Sequence, residues 1–247
     1  MREILGRRRM TRSSLRDAAL TCATRWQWPV VPGAALAASP ASADAPQPQS
    51  KRRSRKGSRG AGSAAPRPAA PACSCPDPGC VVPGAHPFDP VLLAATTDAR
   101  MVRWWWTNRP QAPVILATGG SAPCALSLPA VAGARALAEF DRLGVRTGPV
   151  VATPTRFSLL VAPYRLEELG DLLYACDWVP SSLRFHGTGG YVALPPSQTG
   201  PGQVRWERQP AVSRETGGKP FLPRMESLLE TLVEASATAP DPETLSY

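Results

Sequence analysis

Cys73, Cys75, Cys80 and His86 fall within fourteen positions of a chain that has only six cysteines and two histidines in all. In the spacing C-x-C-x4-C-x5-H they offer four soft or borderline ligands, the number that closes a tetrahedral zinc site. Pro76, Pro78, Pro83 and Gly84 bend the backbone between them, as a short loop must to bring four side chains onto one ion. Four protein ligands leave no position for water, so zinc here is expected to be structural. The same residues also read as reduced thiols on a loop, with Cys75 and Cys80 partly buried. The C-x-C start is less diagnostic than C-x2-C, and one ligand can come from outside the cluster.

A second set of residues points to anions. Gly119 and Gly120 follow a strand-like run, and Gly189 and Gly190 lie in HGTGGY between two such runs. Glycines there let backbone N–H groups approach an anion such as a triphosphate; they equally serve tight turns that need positive φ. Neither loop is a Walker loop or a dinucleotide fingerprint, since the lysine or third glycine and the following helix are missing. Arg156 and Arg184 carry guanidinium groups that match phosphate oxygens bidentately, or pair with acids of the same domain. His186 either contacts a phosphate or hydrogen-bonds within its turn.

The elements that must position these residues alternate along the chain. A capped apolar pattern predicts a helix over residues 13–28, followed by the short strand WPVVPG. Thr97 and Asp98 cap a helix through ARMVRWWWTN, with Met101, Trp104 and Trp105 facing inward. Trp106 is then either a base-stacking platform or part of the core and a lid over the neighbouring loop. Strands follow in PVILATGG and CALSLP, then a helix stopped by Gly144, strands in GPVVATP and FSLLVAP, and a helix over residues 166–176. Two β segments in SSLRFHG and GYVALPPS, a strand in QVRWERQP and an amphipathic helix over residues 224–235 complete the order. The interleaving predicts an α/β or α+β class with a mixed sheet and flanking helices.

Charge separates the folded part from the rest. The formal charge is +9, yet residues 1–72 hold 14 Lys/Arg against 3 Asp/Glu, whereas residues 73–247 hold 14 against 16. Residues 34–72, rich in Ala, Pro, Ser and Gly around KRRSRKGSR (Lys51 to Arg59), cannot bury enough apolar surface to offset chain ordering. They read as a disordered basic insertion, either a solvated linker or a non-specific contact with DNA or RNA. Residues 1–12 read as a basic tail, 13–33 as the first helix and strand of the core, 73–235 as the main domain with its knuckle at 73–86, and 236–247 as a flexible tail. No run approaches the roughly 18 apolar residues of a membrane span, and the thiols are too clustered for a disulfide framework, so a cytoplasmic location is expected.

The order of these pieces resembles the bifunctional DNA primase/polymerase N-terminal (prim-pol) domain of the archaeo-eukaryotic primase superfamily, in a short form of the type seen in actinobacteria. WPVVPG, CSCPDPGC with GAHP, ATTDARMVRWWW, LATGG, VATPT and GTGGYVALPPS followed by VRWE carry it, over residues 13–30 and 73–210. The resemblance implies a role in DNA replication and a core related to the RNA-recognition motif, in which strand carboxylates hold Mg²⁺ or Mn²⁺ for nucleotidyl transfer. This chain departs from that pattern in three places. Leu126, Ser127, Leu128 and Pro129 stand where an Asp-x-Asp pair is expected, Ser158 where a phosphate-contacting His is expected, and Leu183, Arg184 and Phe185 where a third Asp is expected. The resemblance therefore implies a pseudoenzyme that retains nucleotide, nucleic-acid or protein binding. Two alternatives stay open: an active enzyme whose carboxylates lie elsewhere, at Asp98, Asp141, Asp171 or Asp177, and a zinc-containing regulator that binds DNA through Lys51 to Arg59.

Overall fold

The computed structural model describes residues 12–37, 72–213 and 216–237. Residues 1–11, the body of the insertion with its KRRSRKGSR run and residues 238–247 lie outside them, whereas Arg12, Ser236 and Ala237, expected in the tails, belong to helices. At the insertion's described ends, the Ala37 N–H donates to Ala72 O at 2.9 Å and Leu36 bridges to Cys73. The described ends of the insertion thus lie side by side.

The helices are α1 (Arg12–Leu20), α2 (Ala99–Asn108), α3 (Ala130–Leu143), α4 (Leu166–Tyr174) and α5 (Glu226–Ala237). The main strands are β1 (Val30–Pro32), β2 (Val114–Ala117), β3 (Cys124–Pro129), β4 (Val150–Ala152), β5 (Arg156–Val161), β6 (Arg184–His186) and β7 (Tyr191–Leu194). A short hairpin, β8 (Gln198–Thr199) with β9 (Gly202–Gln203), precedes β10 (Arg205–Arg208). The helix expected over 13–28 breaks after α1 into a π turn, Thr21–Arg25, before Gln27 takes a left-handed φ of 58°.

Two larger sheets form, with orders β1-β2-β7 and β10-β4-β5-β3-β6. Every described strand pair is antiparallel, where the sequence pattern suggested a mixed sheet. The class is α+β. Helices do intervene between strands, but α3 and α4 carry the chain past a neighbour, from β3 to β4 and from β5 to β6, so the parallel strands they join are not hydrogen-bonded to each other.

The five-stranded sheet is buried on both faces, and alternation along its strands assigns each side chain to one of them. Cys124, Leu126 and Leu128 of β3 and Phe157, Leu159 and Val161 of β5 pack against α3 and α5. Ala125, Val151 and Leu160 point the other way, into a second cluster with α1, α2, β1, β2 and β7. Leu126, Leu128 and Leu159 are at most 1 % exposed, and full burial of such a side chain contributes roughly 1.5–3 kcal/mol.

The tryptophan run settles differently from the expectation. Val102, Trp105 and Trp106, at i, i+3 and i+4, form the inward face of α2, and the Trp106 Nε1–H donates to Ala112 O at 3.0 Å. Trp106 is 1 % exposed, whereas Trp104 and Met101, expected inside, are 60 % and 45 % exposed. Trp106 is therefore no base-stacking platform.

Candidate functional site

The cysteine knuckle is held by backbone bonds on two sides. The Ala34 N–H donates to His86 O and the Ser74 N–H to Ala35 O, both at 2.9 Å, while the Gly200 N–H beside the β8–β9 hairpin donates to Pro83 O at 2.6 Å. These anchors gather Cys73, Cys75, Cys80 and His86 so that their ligand atoms all lie within 4.8 Å of one another. The Sγ atoms of Cys73 and Cys80 stand 3.3 and 3.4 Å from His86 Nε2. A tetrahedral zinc with ordinary bond lengths separates its ligands by about 3.5–3.8 Å, so the four residues fit one ion with little adjustment. His86 Nδ1 lies 2.9 Å from Pro87 O. An N–H donated there leaves Nε2 with its lone pair toward the cysteines, the usual outer contact of a metal-bound histidine.

The thiols also bear the electrostatic mark of a cation site. Burial raises the Cys73 thiol, but backbone N–H groups of Cys75 and Gly84, with His86 beside it, outweigh that and bring it down to about 6. Burial and the neighbouring Cys75 and Cys73 sulfurs push Cys80 up to about 11. Three crowded thiols cannot all ionise without a positive charge among them, which a metal ion would supply. The set is a Cys3His group suited to a metal such as zinc. All six cysteines are free thiols.

The other candidate residues come together on β3, β5 and β6. Ser158 pairs with Ser127 across β5 and β3, Ser127 with Arg184 across β3 and β6, and Ala125 with His186. Since Ser127 shares the face of Ala125, the positions where the resemblance implies carboxylates and a histidine stand side by side on one face. Ser127 Oγ lies 2.9 Å from His186 Nε2. One guanidinium nitrogen of Arg156 donates to the carbonyls of Ser127 and Ser182 at 2.9 and 2.7 Å, and reaches Ser127 Oγ at 3.4 Å. The imidazole tautomer sets which of Ser127 Oγ and His186 Nε2 donates in that bond. Burial, followed by the charges of Arg156 and Arg184, holds His186 down to about 4, so it is neutral at pH 7.

Divalent metals of the Mg²⁺ type do not fit this face. They require hard oxygen ligands, usually carboxylates, and CALSLP, RFSLLV and RFH contain none. Among the described residues the cysteine knuckle is the one group of three or more His, Cys, Asp or Glu side chains close enough to share a metal. Asp98 caps α2, accepting the Met101 N–H at 2.7 Å, and Asp141 on α3 pairs with Arg208 at 2.6 Å. Asp171 lies within α4 and Asp177 beyond its end.

The glycine turns clamp each other. The Thr118 N–H donates to Gly190 O at 3.0 Å and its hydroxyl to Gly187 O at 2.7 Å. Gly119 has φ 90°, and a Cβ there would lie 2.4 Å from Thr188 Cα; only glycine permits that approach. Gly120 faces a cavity of about 490 Å³ that Tyr164, Arg165, Glu168 and Thr188 also line. Gly189 lies at the tip of the facing turn, with φ 83°. Sequence reading singled out Ser127 and His186 separately but missed that they bond, and it missed Thr118 and Ser182 altogether. Strand alternation alone would have put Ser127 and Ser158 on the less apolar face.

No helix among the described residues is long and apolar enough to cross a membrane. Residues 19–221 match the family model described as bifunctional DNA primase/polymerase, N-terminal. No curated protein and no solved structure matches the chain.

Proposed function

We propose, from the premise that the chain belongs to the bifunctional DNA primase/polymerase N-terminal family, that it binds the phosphates of a nucleotide or nucleic acid on the β3, β5, β6 face without metal-dependent nucleotidyl transfer there. One observation carries this reading. The row Ser158, Ser127, Arg184 is continuous in register, so three substituted positions share one place, and what replaces acid there is cationic or neutral.

The roles follow from the geometry. Arg184, exposed at the edge strand β6, offers a guanidinium to phosphate oxygens. Arg156 adds positive charge while its bonds to Ser127 and Ser182 carbonyls tie β3 to the segment before β6. His186, neutral at pH 7 and held by Ser127, adds an uncharged hydrogen-bonding ring to the site. The glycine turns fix the entry to this face, with Gly119, Gly120, Gly189 and Gly190 as backbone neighbours of the bound anion. The knuckle holds a structural zinc, and the free thiols suit a reducing, cytoplasmic setting. The basic insertion at 34–72 adds non-specific attraction for nucleic acid, outside the main domain at 73–235.

Titration of a nucleoside triphosphate without added Mg²⁺ tests the reading. Binding is expected in the metal-free buffer, weakened about tenfold by Arg184→Gln, as loss of a charge-assisted bond to phosphate entails. Binding that appears only with added Mg²⁺, or that Arg184→Gln leaves unchanged, would overturn it.

A further inference from the structure

A second surface, on the outer side of α2, combines aromatic and cationic groups. The outer side of α2 places Arg100, Arg103, Trp104 and Thr107 at i, i+3, i+4 and i+7, on one face of the helix and all exposed. Trp104 leaves 60 % of its surface in solvent next to two tryptophans that the core absorbs. Neither Arg100 nor Arg103 forms an ion pair among the described residues, and Asp98 has its carboxylate committed to the helix cap.

Charge is segregated across the fold in the same sense. Through α1, the π turn and α2, Arg16, Arg25, Arg100 and Arg103 stand against Asp17 and nothing else acidic. On the opposite side of the five-stranded sheet, α4 and α5 carry Glu167, Glu168, Asp171, Glu226, Glu230 and Glu234 with no Lys or Arg within either helix, while α3 sets Arg135 and Arg142 against Glu139 and Asp141. A polyanion is therefore drawn to the α1/α2 side and repelled from the other.

We propose that the α1/α2 face contacts single-stranded nucleic acid, with Trp104 stacking an unpaired base and Arg100 and Arg103 meeting the flanking phosphates. An exposed indole presents a flat π surface that any base can stack on, whereas the bases of a duplex are already stacked inside it. A lipid surface would call for a broader apolar stripe, and here Trp104 has polar Thr107 and Asn108 and the two arginines around it. The molecule provides its own control. Tyr174 and Trp178 are also exposed, at 94 % and 61 %, but sit among Glu167, Glu168, Asp171 and Asp177, where a phosphate backbone is unwelcome.

The test is fluorescence anisotropy with the full chain and a labelled oligothymidylate of about 20 nucleotides, longer than a typical site of roughly 4–16. Trp104→Ala should weaken binding about tenfold, the loss of one stacked base, while Trp104→Phe retains most of it and Trp178→Ala changes nothing. Arg100→Gln with Arg103→Gln should lower the salt slope by about 1.4, two phosphate contacts on a single strand. The basic insertion contributes equally to every variant, so ratios between variants report the α2 face. Unchanged affinity in Trp104→Ala, or an equal loss in Trp178→Ala, would overturn the proposal. So would a Trp104→Ala variant that loses binding to phosphatidylserine vesicles but keeps the oligonucleotide, which would assign the face to lipid. Trp104 lies outside the core, so an unchanged melting curve certifies each comparison.

Discussion

The cysteine knuckle and the β3, β5, β6 face both collect polar side chains at one spot, yet only the knuckle combines a fixed scaffold with a set of metal-ligating atoms. In the knuckle four ligand atoms lie within 4.8 Å and the surrounding loop is pinned to β1's extension and to the β8–β9 hairpin. On the sheet face the scaffold is equally well fixed, with six consecutive β3–β5 pairs in register, but its ligand positions hold hydroxyls, an imidazole and guanidinium groups. The contrast teaches that scaffold and ligand set are separable. The register of the three strands is set by buried Leu126, Leu128 and Leu159 on the opposite face, so it constrains little which polar side chains Ser127, Ser158 and Arg184 present.

If that contrast is right, the largest effect comes from disturbing the knuckle. Cys73→Ser with Cys75→Ser should reduce bound zinc from one per chain to none by elemental analysis. It should also lower Tm by roughly 10 °C, since structural zinc contributes several kcal/mol at least. Zinc retained in the double variant would dissolve the distinction between the two sites.

Next comes the turn that borders the sheet face. Gly119→Ala combines a positive φ with a Cβ driven into the Thr188 backbone, and is expected to cost about 3–4 kcal/mol in chemical denaturation. Gly120→Ala has open space around it and should cost about 1 kcal/mol. Equal effects would mean that the two turns do not clamp.

The face should then show its own pH signature. His186 titrates at about 4 in the fold against 6.5 when free. Below 6.5 the unfolded chain binds the proton more readily than the folded one, so stability present above pH 6.5 is lost as pH falls toward 4. The loss is at most roughly 3 kcal/mol. His186→Asn should flatten this part of the stability profile relative to the parent chain, whose zinc also dissociates in acid; parallel profiles would contradict the burial of a neutral imidazole beside Arg156 and Arg184.

The smallest effect concerns Asp98. As a helix cap it contributes about 1 kcal/mol, lost in Asp98→Ala and largely kept in Asp98→Asn, which still accepts the Met101 N–H. A change in divalent-metal affinity in Asp98→Asn would instead make it a ligand.

Much of the fold is legible along the chain because local rules decide it. Gly144 ends α3 where expected, and the Val145 N–H closes on Phe140 O at 2.9 Å. The knuckle is legible for the same reason: its four ligands are close in sequence. The inward face of α2 is not legible locally because two faces, Met101 with Trp104 and Trp105 or Val102 with Trp105 and Trp106, satisfy the same period. A tertiary bond, from Trp106 Nε1 to Ala112 O, marks the second as the buried one. The Ser127 to His186 bond spans 59 positions and depends on β6 choosing β3 as its neighbour, a long-range pairing that no local pattern encodes. The same holds for β2, which leaves β3 to pair with β1 and β7 in a separate sheet.

On the proposed reading the sheet face keeps three strands in register without a divalent-metal site. Electron paramagnetic resonance of Mn²⁺ titrated into the zinc-loaded protein, without nucleotide, tests it most directly. The free Mn²⁺ signal is predicted to rise in proportion to added metal, as in buffer alone. A stoichiometric loss of that signal, one or two Mn²⁺ per chain, would contradict the account.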